Sequence, residues 1–477
     1  MEENKKTKNI KLTLYIIGIL CLMVGVSYAT YNLVLKGNKE HQVNIGSLTL
    51  KYEETNNINV TGDTLKTDEE GIASTNSFNF KVSVNNTTSK DVNYIVYLTM
   101  DEEYKANAKV GKVYLNNKTK NITYGPSFIT DLSKYKYTNS YVLCTDTFTS
   151  TTETHEYELK SWISPTEARN ETDDTHETFL GGSVKFKVSV ETTGVPATDT
   201  LIALTNNQND SGLYTITHPA DNTLQIGATE SITEYRYRGA NPKNYVTFNN
   251  EVWRIIGVFP TDDGTGKIEN RIKLIRNESI GDKFWDGSVS NNWARPATLN
   301  TELNTTYLNS LTSEAQNMIG NTKYYLGGKH LYDNGYADTP LQFYSYERKI
   351  KNTKENEFYY GTIPNSWVGK VALMYVSDYG YASSNCENKR IYDKNSSSND
   401  ISACNGTNWL FNNDFQWLLP QDPGDSSNAF DVRSDGRVYG GTVSLGQFGA
   451  RPVLYLTSFT QITGGNGTST SPYTLGL

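Results

Sequence analysis

The sequence predicts a multidomain, β-rich chain: an N-terminal membrane or signal helix, an antiparallel β-sandwich, then a larger α+β domain. Three observations predict it. Residues 12–29, LTLYIIGILCLMVGVSYA, are unbroken in their apolar character and follow Lys5, Lys6, Lys8 and Lys11. Aromatic residues reach 12% with 33 tyrosines, which suits half-buried pleated surfaces. Apolar residues alternate at period two in short stretches before residue 193 and mix with helical spacing after 205. A length of 477 residues accommodates two or three domains. The boundaries that follow are 1–32 for a cytoplasmic tail and the apolar segment, 40–193 for the sandwich, 194–204 for a linker and 205–477 for the α+β domain.

The apolar segment sits at the lower edge of a spanning helix, about 17–25 residues. Its lysine flank predicts a cytoplasmic N-terminus and an exported remainder. Ser27-Tyr28-Ala29 places small residues where a signal peptidase reads. Uncut, residues 12–29 anchor the chain in the cell membrane with an extracellular C-terminal part; cut after Ala29, the chain is secreted.

The sandwich rests on alternating runs. Residues 78–84 read FNFKVSV, and 183–190 read SVKFKVSV with Val184, Phe186, Val188 and Val190 on one face. Around residues 191–203, Pro196 and small residues predict a linker, with a short helix starting near Leu201. In the larger domain, 245–248 (YVTF) and 251–259 (EVWRIIGVF) predict a hairpin turning at Asn249-Asn250. Residues 271–276 predict a strand, 298–319 a helix, and 371–375, 417–420 and 452–456 further strands. Two polar stretches, 327–366 and 382–408, exceed ordinary connections.

The formal net charge is −8 and no basic patch occurs outside the lysine flank, so no nucleic-acid partner is expected. Of four cysteines, Cys21 lies in the apolar segment. Cys386 and Cys404 share a polar stretch, and in an exported chain their simplest state is a disulfide, worth about 3 kcal/mol. Cys144 is left as a buried thiol. The five histidines accompany no nucleophile motif and read as exposed loop residues; no zinc, Walker or EF-hand pattern occurs, so no metal or cofactor and no catalytic residue is expected. Asp262-Asp263-Gly264-Thr265-Gly266 reads as a turn. Asp282 and Asp286 flank Phe284-Trp285, a weak echo of glycosidase carboxylates. Trp253, Trp285 and Trp417 read as core, while Trp293, Trp367 and Trp409 are either core or sugar-stacking faces.

The larger domain resembles a family of exported bacterial domains of unknown function at 235–242 (YRYRGANP), 252–258 (VWRIIGV), 377–382 (SDYGYA), 408–410 (NWL) and 449–456 (GARPVLYL). Its closing stretch, Ala429-Phe430, Gly436 and then the Arg451-Pro452 strand, is similar to the end of a C-type-lectin-like fold. That variant is shared by formylglycine-generating enzymes and by the variable proteins of diversity-generating retroelements. The resemblance implies a scaffold displaying loops. It does not imply calcium-dependent sugar binding, because Gln421-Asp422-Pro423 departs from the lectin motif and Trp-Asn-Asp is missing. The paired cysteines of those enzymes have no clear counterpart. The first region looks like the camelysin/TasA type of matrix protein on Ser27-Tyr28-Ala29, 46–50 (GSLTL) and 78–82 (FNFKV).

The resulting expectation is a bacterial cell-surface or secreted binding protein, adhesin-like, that takes a glycan or protein ligand. The expected ligand face is the loop set of Asn428, Arg433, Asp435, Tyr439 and Gln447. The alternatives are a structural matrix fibre built through the sandwich and a lectin-fold oxidase or hydrolase.

Overall fold

A computed structural model describes residues 34–36, 40–45, 48–54, 60–61, 65–86, 92–164, 183–193, 195–293, 295–327, 339–350, 364–392, 403–422 and 425–477. The apolar segment 12–29, His176 and His330 lie outside them. Among the described residues no helix is long and apolar enough to cross a membrane. Strand accounts for 43% and helix for 17%, in several antiparallel sheets, so the β-rich expectation holds. The chain divides into two compact units. One runs up to Tyr104 and takes in Val113–Thr123 and Leu143–Gly194; the other holds Lys105–Lys112, Tyr124–Val142 and Val195–Leu477.

Two larger sheets are built before residue 193, beside a two-stranded pairing of Val60–Thr61 with Ser183–Val184. One has the strand order Val34–Lys36, Phe186–Thr192, Val92–Met100, Ser140–Phe148; the other Glu40–Ile45, Leu48–Glu54, Phe78–Asn86, Thr152–Ile163, Gly111–Asn117, Ile122–Phe128. Period-two burial appears in Phe78–Asn86, where Phe78, Phe80, Val82 and Val84 are buried and their neighbours are not. The Phe186–Thr192 strand departs from its one-faced pattern. Ser189 and Glu191 are as buried as Val188 and Val190. The strand is interior to its sheet, between Val34–Lys36 and Val92–Met100.

In the other unit, a long sheet runs Val371–Ala372, Val453–Tyr455, Ile268–Arg276, Glu251–Asp262, Tyr245–Phe248, Tyr473–Gly476, Gln461–Gly464. The Gly212–His218/Ile232–Arg238 hairpin joins it through Glu251–Asp262. A second sheet runs Asp282–Lys283, Phe448–Gly449, Gln416–Gln421, Asn428–Val432, Val438–Thr442. The expected hairpin turns at Asn249 and Asn250 with φ of 53° and 59°, the left-handed pair that a two-residue turn needs. Asp262 Oδ1 accepts from the Gly264 and Gly266 amides, closing the next hairpin as a turn.

Three elements differ from the expectation. The linker contains a helix, Ala197–Ile202, that starts before Leu201 and buries Ala197 and Leu201 in the core. The 298–319 helix is broken into Thr298–Glu302, a π turn Leu303–Tyr307, Leu308–Ser310 and Ser313–Met318. Leu311 is extended there so that Thr312 can cap the last segment. The 371–375 strand stops at Ala372, and Tyr375 starts the helix Val376–Tyr381. Trp293 and Trp409 are buried, which settles them as core, while Trp367 is half-buried between Trp293 and Tyr324. Cys386 and Cys404 are disulfide-bonded with Cα atoms 4.9 Å apart, and Cys144 is a buried thiol.

A bulge between Ile255 and Gly257 turns the central strand beneath the Ile232–Arg238 strand. A Cβ at Gly257 would lie 2.0 Å from the Tyr235 carbonyl oxygen. Only glycine allows this approach, which sets where Arg236 enters the core. Gly257→Ala should therefore destabilise the chain by about 2 kcal/mol or more, read as a lowered urea midpoint.

Candidate functional site

Two hairpins in the larger unit concentrate its chemistry. The first is the closing hairpin, Asn428–Val432 and Val438–Thr442. The Arg433 amide bonds the Arg437 carbonyl and the Gly436 amide bonds the Arg433 carbonyl, so the tip is tight. Arg433 donates its Nε to Asp431 Oδ1 at 3.0 Å and lays its guanidinium 4.4 Å over the Tyr439 ring. Tyr439 stacks on Tyr392 at 6.2 Å and 7°. Asp435 accepts from the Arg437 amide and Nε, and its carbonyl accepts from Asn405 Nδ2. Arg433, Asp435 and Tyr439 are thus brought together at one tip.

The other two expected ligand residues are not. Asn428 pairs with Thr442 at the far end of the hairpin, where its carbonyl accepts from Asn291 Nδ2 and the Asp422 amide. Gln447 is exposed in the connection after that hairpin.

Asp431, which the sequence reading passes over, sits under this tip. It is fully buried, and its Oδ2 has no hydrogen-bond partner. Gly441 leaves room for it, since a Cβ there would lie 2.8 Å from that oxygen. Burial pushes the Asp431 carboxyl up to about 7, against the pull of Arg433 and with a further push from Asp435. The glycine pair 440–441 across the hairpin was the signal in the sequence.

The second concentration is a buried ion network under the Ile232–Arg238 strand. Arg236 donates Nε to Glu234 Oε2 at 2.9 Å and a terminal nitrogen to Asp378 Oδ1 at 2.9 Å. Lys273 donates to Asp378 Oδ2, which also accepts the Tyr375 amide at 2.9 Å as the helix cap. Glu347 accepts from the Ser377 amide and hydroxyl and from Arg348. His218 approaches Glu234 Oε2 at 3.4 Å and stacks on Tyr344 at 3.6 Å. Three carboxylates thus meet three cations, and none of the six residues is more than 4% exposed. Burial opposes ionisation of Asp378, but Lys273 and Arg236 outweigh it and hold the carboxyl below the usual range. Glu234 is held low in the same way by Arg236 and His218. A cleft lined by Glu234, Asp262, Lys323, Tyr325, Arg348 and Tyr375 leaves about 10 Å³, room for about one water.

Histidines are placed against expectation. His218 is buried in the ion network, and His155 is fully buried in the smaller unit. His155 bonds the Tyr94 hydroxyl through Nδ1 and Glu153 through Nε2 at 2.7 Å. Asp146 accepts from Tyr157 at 2.8 Å and from Asn117 at 2.7 Å in the same cluster. Each buried histidine is held by carboxylates: His218 by Glu234 on the paired strand, and His155 by Glu153 on its own strand and Asp146 on Ser140–Phe148. Asp286 is tied to Arg295 by paired bonds of 2.9 Å, while Asp282 is exposed, so this pair does not converge. Among the described residues no group of three or more His, Cys, Asp or Glu is arranged to hold a metal ion. Compared with known protein families, with curated proteins and with solved structures, the chain has no match.

Two predictions follow from this chemistry. Lys273→Met and Asp378→Asn should each cost about 3 kcal/mol in denaturant unfolding, because each strands a buried charge. The double variant should cost at least about 1 kcal/mol less than their sum. For Asp431 the folded pKa is raised, so its contribution to stability is complete below about pH 4 and is lost as pH rises through about 7. Asp431→Asn should flatten the fall in stability between pH 5 and 8; parallel curves for the two proteins would exclude a titrating Asp431.

Proposed function

We propose that this protein is an exported binding protein of a bacterial surface, with a β-sandwich stalk and a C-type-lectin-like head that holds its ligand on the closing hairpin. The observation that carries the reading is the Arg433–Tyr439–Tyr392 stack, seated on a tight hairpin above the buried Asp431. A guanidinium lying on an aromatic face, at a rim whose backbone is locked, is a preorganised recognition surface for a polar ligand with a flat apolar side. The Arg433 side chain keeps 34% of its surface exposed.

Other observations support it. The lysine-flanked segment 12–29 reads as an export signal or anchor. The Cys386–Cys404 bond suits an oxidising compartment. Among the described residues the buried ion network of the larger unit is closed on itself, and the cleft beside it has room for about one water. That arrangement serves a scaffold better than a reaction.

A glycan array and a panel of host-matrix proteins, probed with the purified chain, test the reading. Arg433→Ala and Tyr439→Ala are each expected to weaken the best ligand tenfold or more, and Gln447→Ala to leave it within twofold. Absence of any binding at micromolar protein would sink the proposal.

A further inference from the structure

A groove of about 720 Å³ opens in the larger unit between the 134–141 turn and the helix Ser313–Met318. Its size is that of a site for a small ligand. The turn is well defined. The Tyr135 amide bonds the Ser140 carbonyl, the Ser140 amide bonds the Tyr137 carbonyl, and Asn139 takes a left-handed φ of 54°. Tyr135 is buried edge-on against Phe459 at 6.0 Å and forms the floor. Tyr137 stands on it at 5.7 Å, exposed, and Tyr141 is half-buried beside it.

Four polar groups along this groove are available to a ligand. The Lys134 ammonium, the Tyr141 hydroxyl, the Glu314 carboxylate and the Asn317 amide have no side-chain partner among the described residues. Lys134 and Lys136 both line the groove, and the Lys136 ammonium lies 5.4 Å over the Tyr135 ring and 5.3 Å over the Tyr137 ring. Two lysines on one wall favour an anion. Tyrosine faces favour a ring with an apolar side. A carboxylate and an amide on the opposite wall favour a ligand that also donates hydroxyls.

We propose that this groove binds an acidic saccharide, with a sugar ring against Tyr137 and Tyr141, its anionic group at Lys134, and its hydroxyls on Glu314 and Asn317. The proposal goes beyond the hairpin reading and stands whether or not the hairpin binds.

Calorimetric titration of the full chain with oligosaccharides bearing uronate, sialate or phosphate groups tests it, with trigalacturonate and trigalactose as a matched acidic and neutral pair. At least one acidic probe should bind, and trigalactose should bind at least tenfold more weakly than trigalacturonate. Lys134→Glu and Tyr137→Ala, both exposed positions, should each weaken the acidic probe tenfold or more. Raising salt from 50 to 300 mM should weaken it several-fold. The proposal is overturned if no acidic saccharide binds at 1 mM, if either variant binds as the parent does, or if hexaglutamate binds equally well. Arg433→Ala separates the two sites: a loss confined to that variant would assign the saccharide to the hairpin and overturn the groove.

Discussion

Asp378 draws a guanidinium and an ammonium out of water together, and the larger unit is arranged around that fact. One oxygen meets Arg236 on the Ile232–Arg238 strand; the other meets Lys273 on the Ile268–Arg276 strand and the amide that starts the Val376–Tyr381 helix. Three elements therefore share one carboxylate. Buried ion pairs of this kind add little net stability, since desolvation cancels most of the attraction. Their effect is to penalise alternatives: any packing that separates the partners leaves a charge buried and alone. The bulge at Ile255/Gly257 belongs to the same device, because it lets the hairpin strand come close enough for Arg236 to reach Asp378.

Aromatic rings line the network's cations. Tyr344 carries Arg348 at 3.8 Å, Tyr375 carries Lys273 at 4.3 Å, and Phe259 carries Arg236 at 4.6 Å. Aromatic faces soften the loss of water around cations without adding further charge. The same chemistry recurs at the closing hairpin, where Arg433 rests on Tyr439, but there the guanidinium remains partly in solvent. The same pairing is thus buried inside and part-exposed at the rim. The groove at 134–141 uses tyrosine differently, as a wall beside Lys134 and Lys136.

Local patterns were legible and long-range pairings were not. The Asn249-Asn250 turn, the Asp262 turn, the alternation in Phe78–Asn86 and the burial of Trp253, Trp285 and Trp417 all follow from spacing and residue type over a few positions. His155 and His218 read as loop residues because nothing near them in sequence announces their burial: Glu153 is two residues from His155, but Asp146 and Glu234 come from other strands. Asp431 was hidden for a related reason: its room is made by Gly441, across the hairpin. Of the expected ligand residues, Arg433, Asp435 and Tyr439 converge because one tight turn joins them. Asn428 and Gln447 do not, since strand register carries them away.

By itself the sequence determined the β-rich character, the positions of the tight turns and the pairing of Cys386 with Cys404. Each of these depends on side chains within one turn, one strand or one short loop. Only the tertiary structure decided which charges meet. Arg236 and Asp378 are 142 residues apart, and Lys273 and Asp378 are 105 apart. No local periodicity encodes such a pairing, because it arises when separate sheets and helices close over one another and each buried charge must find its opposite. The groove beside Tyr137 has the same origin: its two walls come from distant segments, and neither wall alone describes a site.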